Sequence, residues 1–349
     1  MNKIFILFLV VLISEISWSQ IPTGYYNGTQ GLVGDALRMK LRQIISNGHT
    51  QNSYDNLYVL FRQTDNWGGD TVWDMYSIKA NGTANYWYRY NQNEECGTYN
   101  SEGDCYNREH SIPQSWFNGN YPMYADLFIL YPTDGYVNNR RSNYPFGQVG
   151  STTWTSTNGS KLGSSNFSGY SGTVFEPIDA YKGDFARTYF YAVTRYDVSS
   201  WSGDSFSGDN LSAWSKNLFL KWDSIDPVSP KEIARNNAAY SIQHNRNPYI
   251  DHPEFVKAVF LGILYSPENE LPEISVTPNP SADFINIGVL TQYPYTIALI
   301  DQTGRKVMAI ENATANTSVD IHALENGIYF IMLEGKGFST YKKFVKIGE

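Results

Sequence analysis

Hydrophobic positions change period along the chain, and the changes divide it. From Gly31 to Ser46, Val33, Leu37, Leu41 and Ile45 recur at four-residue steps with Leu32, Ala36 and Ile44 beside them. Such a stripe predicts a core helix. Next come TVWDMYS (71–77) and ANYWYRY (84–90), rich in β-branched and aromatic residues and separated by a stretch holding Asn81-Gly82, which predicts a hairpin. Residues 147–172 are dense in Ser, Thr, Gly and Asn and read as loops with short strands. Helices are expected over 183–196, 230–245 and 253–265, two of them opening on proline. The polar segment SPENELP then reads as an exposed linker. Beyond it, ISVTPNP, FINIGVL, YTIALID, KVMAI, TSVDI, GIYFIML and YKKFVKI are short β-rich runs between turn residues, the pattern of a β-sandwich. The expected architecture is α+β: a mixed domain over 20–265, a linker at 266–273, and a small all-β domain over 274–349.

The first nineteen residues carry Lys3, an unbroken apolar run from Ile4 to Ile13, and small residues before Gln20. That is the layout of a signal peptide, and no later segment is apolar enough to span a bilayer. An exported chain is therefore expected. Export makes the two cysteines readable, because Cys96 and Cys105 would enclose a short loop in an oxidising compartment, where a disulfide contributes roughly 2–3 kcal/mol. A zinc site is the alternative, but the five histidines show no ligand spacing near the pair. The net charge of −8 argues against a protein that coats nucleic acid through a basic surface. Between Asn138 and Arg195, however, six basic residues face three acidic ones, a local excess of +3.

The chemistry concentrates in YNREHSIPQSWF (106–117) and ADLFILYPTDGYVNNRRSNYPFG (125–147). Cutting a phosphodiester needs a base to deprotonate water, positive charge on the phosphoryl oxygens, and help for the leaving 3′-oxygen. Neutral His110 can accept a proton near pH 7. Glu109 and Asn138 offer hard oxygens suited to magnesium or calcium. Adjacent residues of a regular strand point to opposite faces, so the strand carrying Glu109 and His110 is expected to end or twist there, before Pro113. Thr133 or Asp134 can cap a short helix on which Asn138 and Arg141, three apart, share a face.

These two segments resemble the bacterial secreted endonuclease I family, of the His-Me finger (ββα-metal) nuclease superfamily. The resemblance extends in order through VWDMYS, FEPIDAYKGDFARTYFY, KWDSIDPVS and HNRNPYIDHPEFV, spanning nearly all of 30–262. It implies a catalytic domain built on a ββα-metal motif, with His110 as general base and Glu109 and Asn138 as ligands of one magnesium ion, calcium or manganese being alternatives. It implies Arg141 as a catalytic phosphate contact, with Arg140 and Arg187 as further substrate contacts. For Arg187 a structural salt bridge is an equal alternative, and Asp126 reads as structural. The implied substrate is DNA, and often RNA, cut with little sequence preference to 5′-phosphate products by a monomer. Many relatives carry His or Asn just before the leucine that precedes the loop of this motif, whereas this chain has Phe128-Ile129-Leu130, leaving the orientation of His110 to a backbone carbonyl near Tyr124 or to the Asp126 carboxylate.

Residues 274–349 resemble the sorting domains carried by cargo of the type IX secretion system, through VTPNPSADFINI, LIDQTGRKVMAI, VDIHALENGIYFIML and a lysine-bearing last strand. That implies a partner in the secretion machinery and a secreted or cell-surface location. The 15% aromatic content leaves a rival reading, an extracellular carbohydrate-binding or adhesion protein with an inactive nuclease-like fold. A glycosidase would need two carboxylates across the bond, and none stands out beside Glu109.

Overall fold

The computed structural model describes residues 21–95, 98–264, 274–289, 294–303, 305–313, 316–335 and 338–348. The chain divides into two compact units, Met1–Tyr265 and Ser266–Glu349. The expected signal peptide, the linker at 266–273 and Cys96 lie outside the described residues. Cys105 is buried just before the strand that carries Glu109. No helix among the described residues is long and apolar enough to cross a membrane.

In the first unit, helix α1 (Gly34–Ser46) buries Leu37, Leu41 and Ile45, as its four-residue stripe requires. Helix α2 (Leu57–Thr64) follows, then a small ribbon of strands β1 (Asn66–Gly68) and β2 (Thr71–Val72). The hairpin expected over 71–90 is not a regular ladder. A turn does form at the predicted place, with Gly82 N–H donating to Lys79 O, but the two legs meet only through isolated bridges at Thr71–Arg89 and Ile78–Ala84. The reason lies in Asp74, whose carboxylate and carbonyl take the N–H groups of Tyr76 and Ile78 and curl the leg that would have paired.

Strands β3 (Tyr106–His110) and β4 (Leu130–Asp134) pair antiparallel in a register running from Tyr106–Asp134 to His110–Leu130. The chain passes directly into helix α3 (Gly135–Arg141). The Ser/Gly-rich stretch then holds more strand than loop: β5 (Val149–Thr155), β6 (Lys161–Ser165) and β7 (Thr173–Glu176) form an antiparallel sheet in that order. Helix α4 (Lys182–Arg195) is buried from Lys182 to Thr194 and forms the spine of the unit. Around it come α5 (Ala213–Ile225), α6 (Pro230–Gln243), α7 (Pro248–Asp251) and α8 (Glu254–Leu261). Helix α6 opens on a capping box between Ser229 and Glu232 with Pro230 in its first turn. It stops two residues short of the expected end because His244 takes a left-handed conformation. Gly262 ends α8 in the same way.

The second unit is all β. Strands β8 (Ile274–Thr277), β9 (Phe284–Val289), β10 (Tyr295–Asp301), β11 (Lys306–Ala313), β12 (Thr317–Asp320), β13 (Gly327–Gly335) and β14 (Phe338–Lys346) coincide with the seven runs read from the sequence. They form two antiparallel sheets, ordered β11-β10-β13-β14 and β12-β9-β8. Alternate residues such as Ile285 and Ile287, Ile297 and Leu299, and Ile331 and Leu333 meet in one apolar cluster, so the two sheets form a sandwich. The protein as a whole is α+β, with an all-β carboxy-terminal unit.

Candidate active site

Strand β3 presents two faces, and each has its own partners. With a side-chain period of two, Asn107 and Glu109 share one face and Arg108 and His110 the other. Helix α3 docks on the first face. Its N-cap is Asp134, whose carboxylate accepts the Val137 N–H at 2.8 Å. The Asp134 carboxylate also takes the Tyr88 hydroxyl at 2.6 Å and the Gly103 N–H at 2.8 Å, which ties the start of the helix to two loops. Asn138 and Arg141 then project from one side of the helix: Asn138 Nδ2 donates to Asn107 Oδ1 at 2.6 Å, and Arg141 Nη1 donates to Glu109 Oε1 at 3.0 Å.

Glu109 is 1% exposed. Its Oε1 also accepts the Tyr76 hydroxyl at 2.8 Å. Burial pushes the carboxyl up to about 7, while the Arg141 guanidinium and the Tyr76 hydrogen bond pull the other way by favouring the charged form. Because Asn138 commits its amide nitrogen to Asn107, its Oδ1 is the atom left to meet a cation. Among the described residues no group of three His, Cys, Asp or Glu side chains could hold a metal. A carboxylate and an amide oxygen on one face of β3 do fit a hard divalent ion that keeps several waters.

His110 closes β3, where the chain bends away toward Pro113. Its imidazole is 7% exposed and lies nearly parallel to the rings of Tyr54 and Tyr124. His110 Nε2 is 3.1 Å from the Tyr124 carbonyl oxygen. A carbonyl only accepts, so Nε2 carries the proton and Nδ1 keeps its lone pair. Burial lowers the pKa to about 4, so the ring is neutral at pH 7. Two residues on, Asp126 accepts from the hydroxyls of Tyr191 and Tyr196, the Gln243 amide and the Phe128 N–H, which anchors the segment that carries the Tyr124 carbonyl. Asp126 is thus the structural residue the sequence suggested. Phe128 packs its ring on Tyr191, and the orienting partner of His110 is the backbone of the Tyr124 turn.

Two expected substrate contacts face inward. Arg141 is 1% exposed, and besides Glu109 it donates to the carbonyls of His110 and Ser111, with Phe146 against its guanidinium. The phosphate contact expected of Arg141 gains no support from this geometry: Nη1 and Nη2 point at Glu109 and at the carbonyls that end β3, and Nε is buried without a partner among the described residues. Arg187, also 1% exposed, is held bidentately by Glu232 and by Asp223. It is the salt bridge of its alternative reading, not a substrate contact. Arg140 is exposed and stacks beside Tyr136 and Trp154, free of any carboxylate among the described residues. The sequence reading missed Asn107 and Tyr76. Counting two back from Glu109 along the strand would have found Asn107, whereas no local signal marks Tyr76.

Comparison with known proteins gives the family. The Endonuclease I family model matches residues 33–254. The chain belongs to the endonuclease I family. A second model, the secretion system C-terminal sorting domain, matches residues 275–347. The chain is 34% identical over 253 residues to an extracellular ribonuclease of Bacillus amyloliquefaciens, covering 68% of this chain and 78% of that one. An extracellular ribonuclease of Bacillus subtilis (strain 168) is 32% identical over 247 residues, with the same shares covered. An extracellular deoxyribonuclease of Aeromonas hydrophila is 30% identical over 129 residues, 37% of this chain and 50% of that one. This endonuclease I family member is a nuclease, a hydrolase whose substrate is nucleic acid, and its sorting domain makes it a secreted or cell-surface protein that engages secretion machinery.

Proposed function

We propose that the first unit is a metal-dependent, largely sequence-non-specific endonuclease that hydrolyses DNA and RNA phosphodiesters outside the cell to 5′-phosphate products. The observation that carries this reading is the docking of Asn138 and Arg141 on Asn107 and Glu109 on one face of β3, with the next residue of the strand, His110, holding its Nε2 on the Tyr124 carbonyl and leaving Nδ1 without a partner among the described residues. The order β3, β4, α3 supports a ββα-metal, or His-Me finger, site. Relatives named as ribonucleases and as a deoxyribonuclease support a substrate range that includes both nucleic acids.

In this reading Nδ1 of His110 takes a proton from a water as that water attacks phosphorus in line with the 3′-oxygen. Nε2–H stays on the Tyr124 carbonyl throughout and keeps the ring aimed. Arg141 and the Tyr76 hydroxyl favour the ionised form of Glu109 and so offset part of the effect of burial, which favours the neutral acid. Bound by Glu109 and Asn138, a magnesium ion supplies charge neutralisation for the phosphoryl oxygens and for the leaving 3′-oxygen. Arg140, solvent-facing on α3, meets the nucleic-acid backbone. A Cys96–Cys105 disulfide fastens the loop that enters β3.

Conversion of supercoiled plasmid to nicked and linear forms tests this directly. Full loss in EDTA, with recovery on excess magnesium, is the expected result; chelator-insensitive cutting would sink the metal assignment. His110→Ala is expected to slow cutting about a thousandfold, the size of a lost general base. Asn138→Ala should regain part of its rate as magnesium is raised.

A further inference from the structure

The fully buried arginines of the first unit, Arg38, Arg141, Arg187, Arg235 and Arg246, each pair with a carboxylate, whereas half-buried Arg195 meets the Ser46 hydroxyl instead. Arg108 is likewise half-buried, on the His110 face of β3, its guanidinium carbon 3.7 Å from the centre of the Tyr54 ring and 4.6 Å from that of Tyr58. Nη1 donates to the Tyr54 carbonyl at 3.0 Å. No carboxylate among the described residues lies within ion-pair distance of it. Two rings and a carbonyl therefore fix the plane of a guanidinium whose charge is left unneutralised, in a chain with a net charge of −8. Tyr54 also stacks on His110, so the same ring that seats the cation borders the imidazole. A fixed, partly exposed fork of N–H donors without an acid is suited to a phosphate.

We propose that Arg108, seated on Tyr54 and Tyr58, binds a backbone phosphate of the nucleic-acid substrate and sets the strand's path past His110. This rests on the reading of His110 as the general base, and it adds a contact on the opposite face of β3 from α3 and Arg140. The contact is to phosphate, so it serves DNA and RNA alike and carries no sequence preference.

The test measures binding of the full chain to a fluorescein-labelled single-stranded oligodeoxynucleotide by anisotropy, in a His110→Ala background, over a range of salt. Arg108→Gln is expected to weaken binding about tenfold, the worth of one charge-assisted hydrogen-bonded contact. It should also flatten the slope of log K against log salt by about 0.7, the release from one single-strand phosphate. Arg108→Lys should keep the slope and weaken binding about threefold, because a point charge replaces the fork. An unchanged slope in Arg108→Gln, or wild-type affinity in Arg108→Lys, overturns the proposal. Should Arg108→Gln fail to fold, Arg108→Lys decides by its affinity alone. Binding is read without cleavage, so a His110→Ala protein that still cuts at the wild-type rate would refute the base assignment and leave the Arg108 result standing.

Discussion

The two units reach stability by different routes. The core cluster of the sandwich consists of apolar side chains, from Ile274 to Phe344, and alternation along strands such as β8, β9 and β13 delivers most of them. The nuclease unit buries charge throughout: Asp65, Asp74, Glu109, Asp126 and Asp134 among the acids, Arg38, Arg141, Arg187, Arg235 and Arg246 among the bases. Buried ion pairs are poor sources of net stability, because desolvation consumes most of the attraction, but each one permits few geometries. In the nuclease unit buried charge fixes polar side chains in place, as where Arg141 fixes the Glu109 carboxylate.

The contrast is open to attack from its strongest point downward. Removing one member of a buried pair should cost more than removing a comparable volume of sandwich core. Arg141→Met leaves the Glu109 carboxylate buried without its cation and should lower the stability of the nuclease unit by about 3 kcal/mol or more, read by denaturant unfolding. It should also abolish nicking. A shift under 1 kcal/mol would mean that Glu109 simply takes up a proton. Ile331→Ala removes apolar volume from the sandwich and should cost roughly 2–4 kcal/mol there, seen by calorimetry, while the nicking rate of the folded protein stays as it was. A matching fall in nicking would show that the two units are not independent in this respect.

The smallest effect is that of pH. His110 has a folded pKa near 4, below the 6.5 of an unfolded histidine, so between these values the unfolded chain binds the proton and the folded one does not. Stability owed to neutral His110 is complete above pH 6.5 and declines as the pH falls toward 4. Unfolding midpoints of the wild type and His110→Gln should therefore converge on acidification. Parallel midpoints from pH 7 to pH 4.5 would show that the ring titrates normally, and that burial does not hold it neutral.

Legibility followed the same division. The seven sandwich strands were all visible, because period-two burial is a local property and one face of each sheet is wet. Helices with a stripe or a cap, such as α1 and α6, were visible for the same reason. Helices α2 and α5 were not called from the pattern, and the Asn81-Gly82 hairpin was overcalled because the Asp74 turn competes with the ladder. At the site, the residue types and spacing around Glu109, His110 and Asn138 singled out the stretch in which α3 docks on β3. The direction in which Arg141 and Arg187 point was not legible, since an arginine on a helix reads alike whether it meets a phosphate or a glutamate from a distant segment.

By itself the sequence determined which residues could do the chemistry and which elements would carry them, because side-chain period, caps and turns are written within a few residues. Only the tertiary structure decided what each of those residues meets. Asn107 beneath Asn138, Tyr76 and Arg141 on Glu109, and the Tyr124 carbonyl on His110 are pairings between segments from 14 to 33 residues apart. Such pairings are settled when burial forces each polar group to find a partner, and no local pattern records which partner that is.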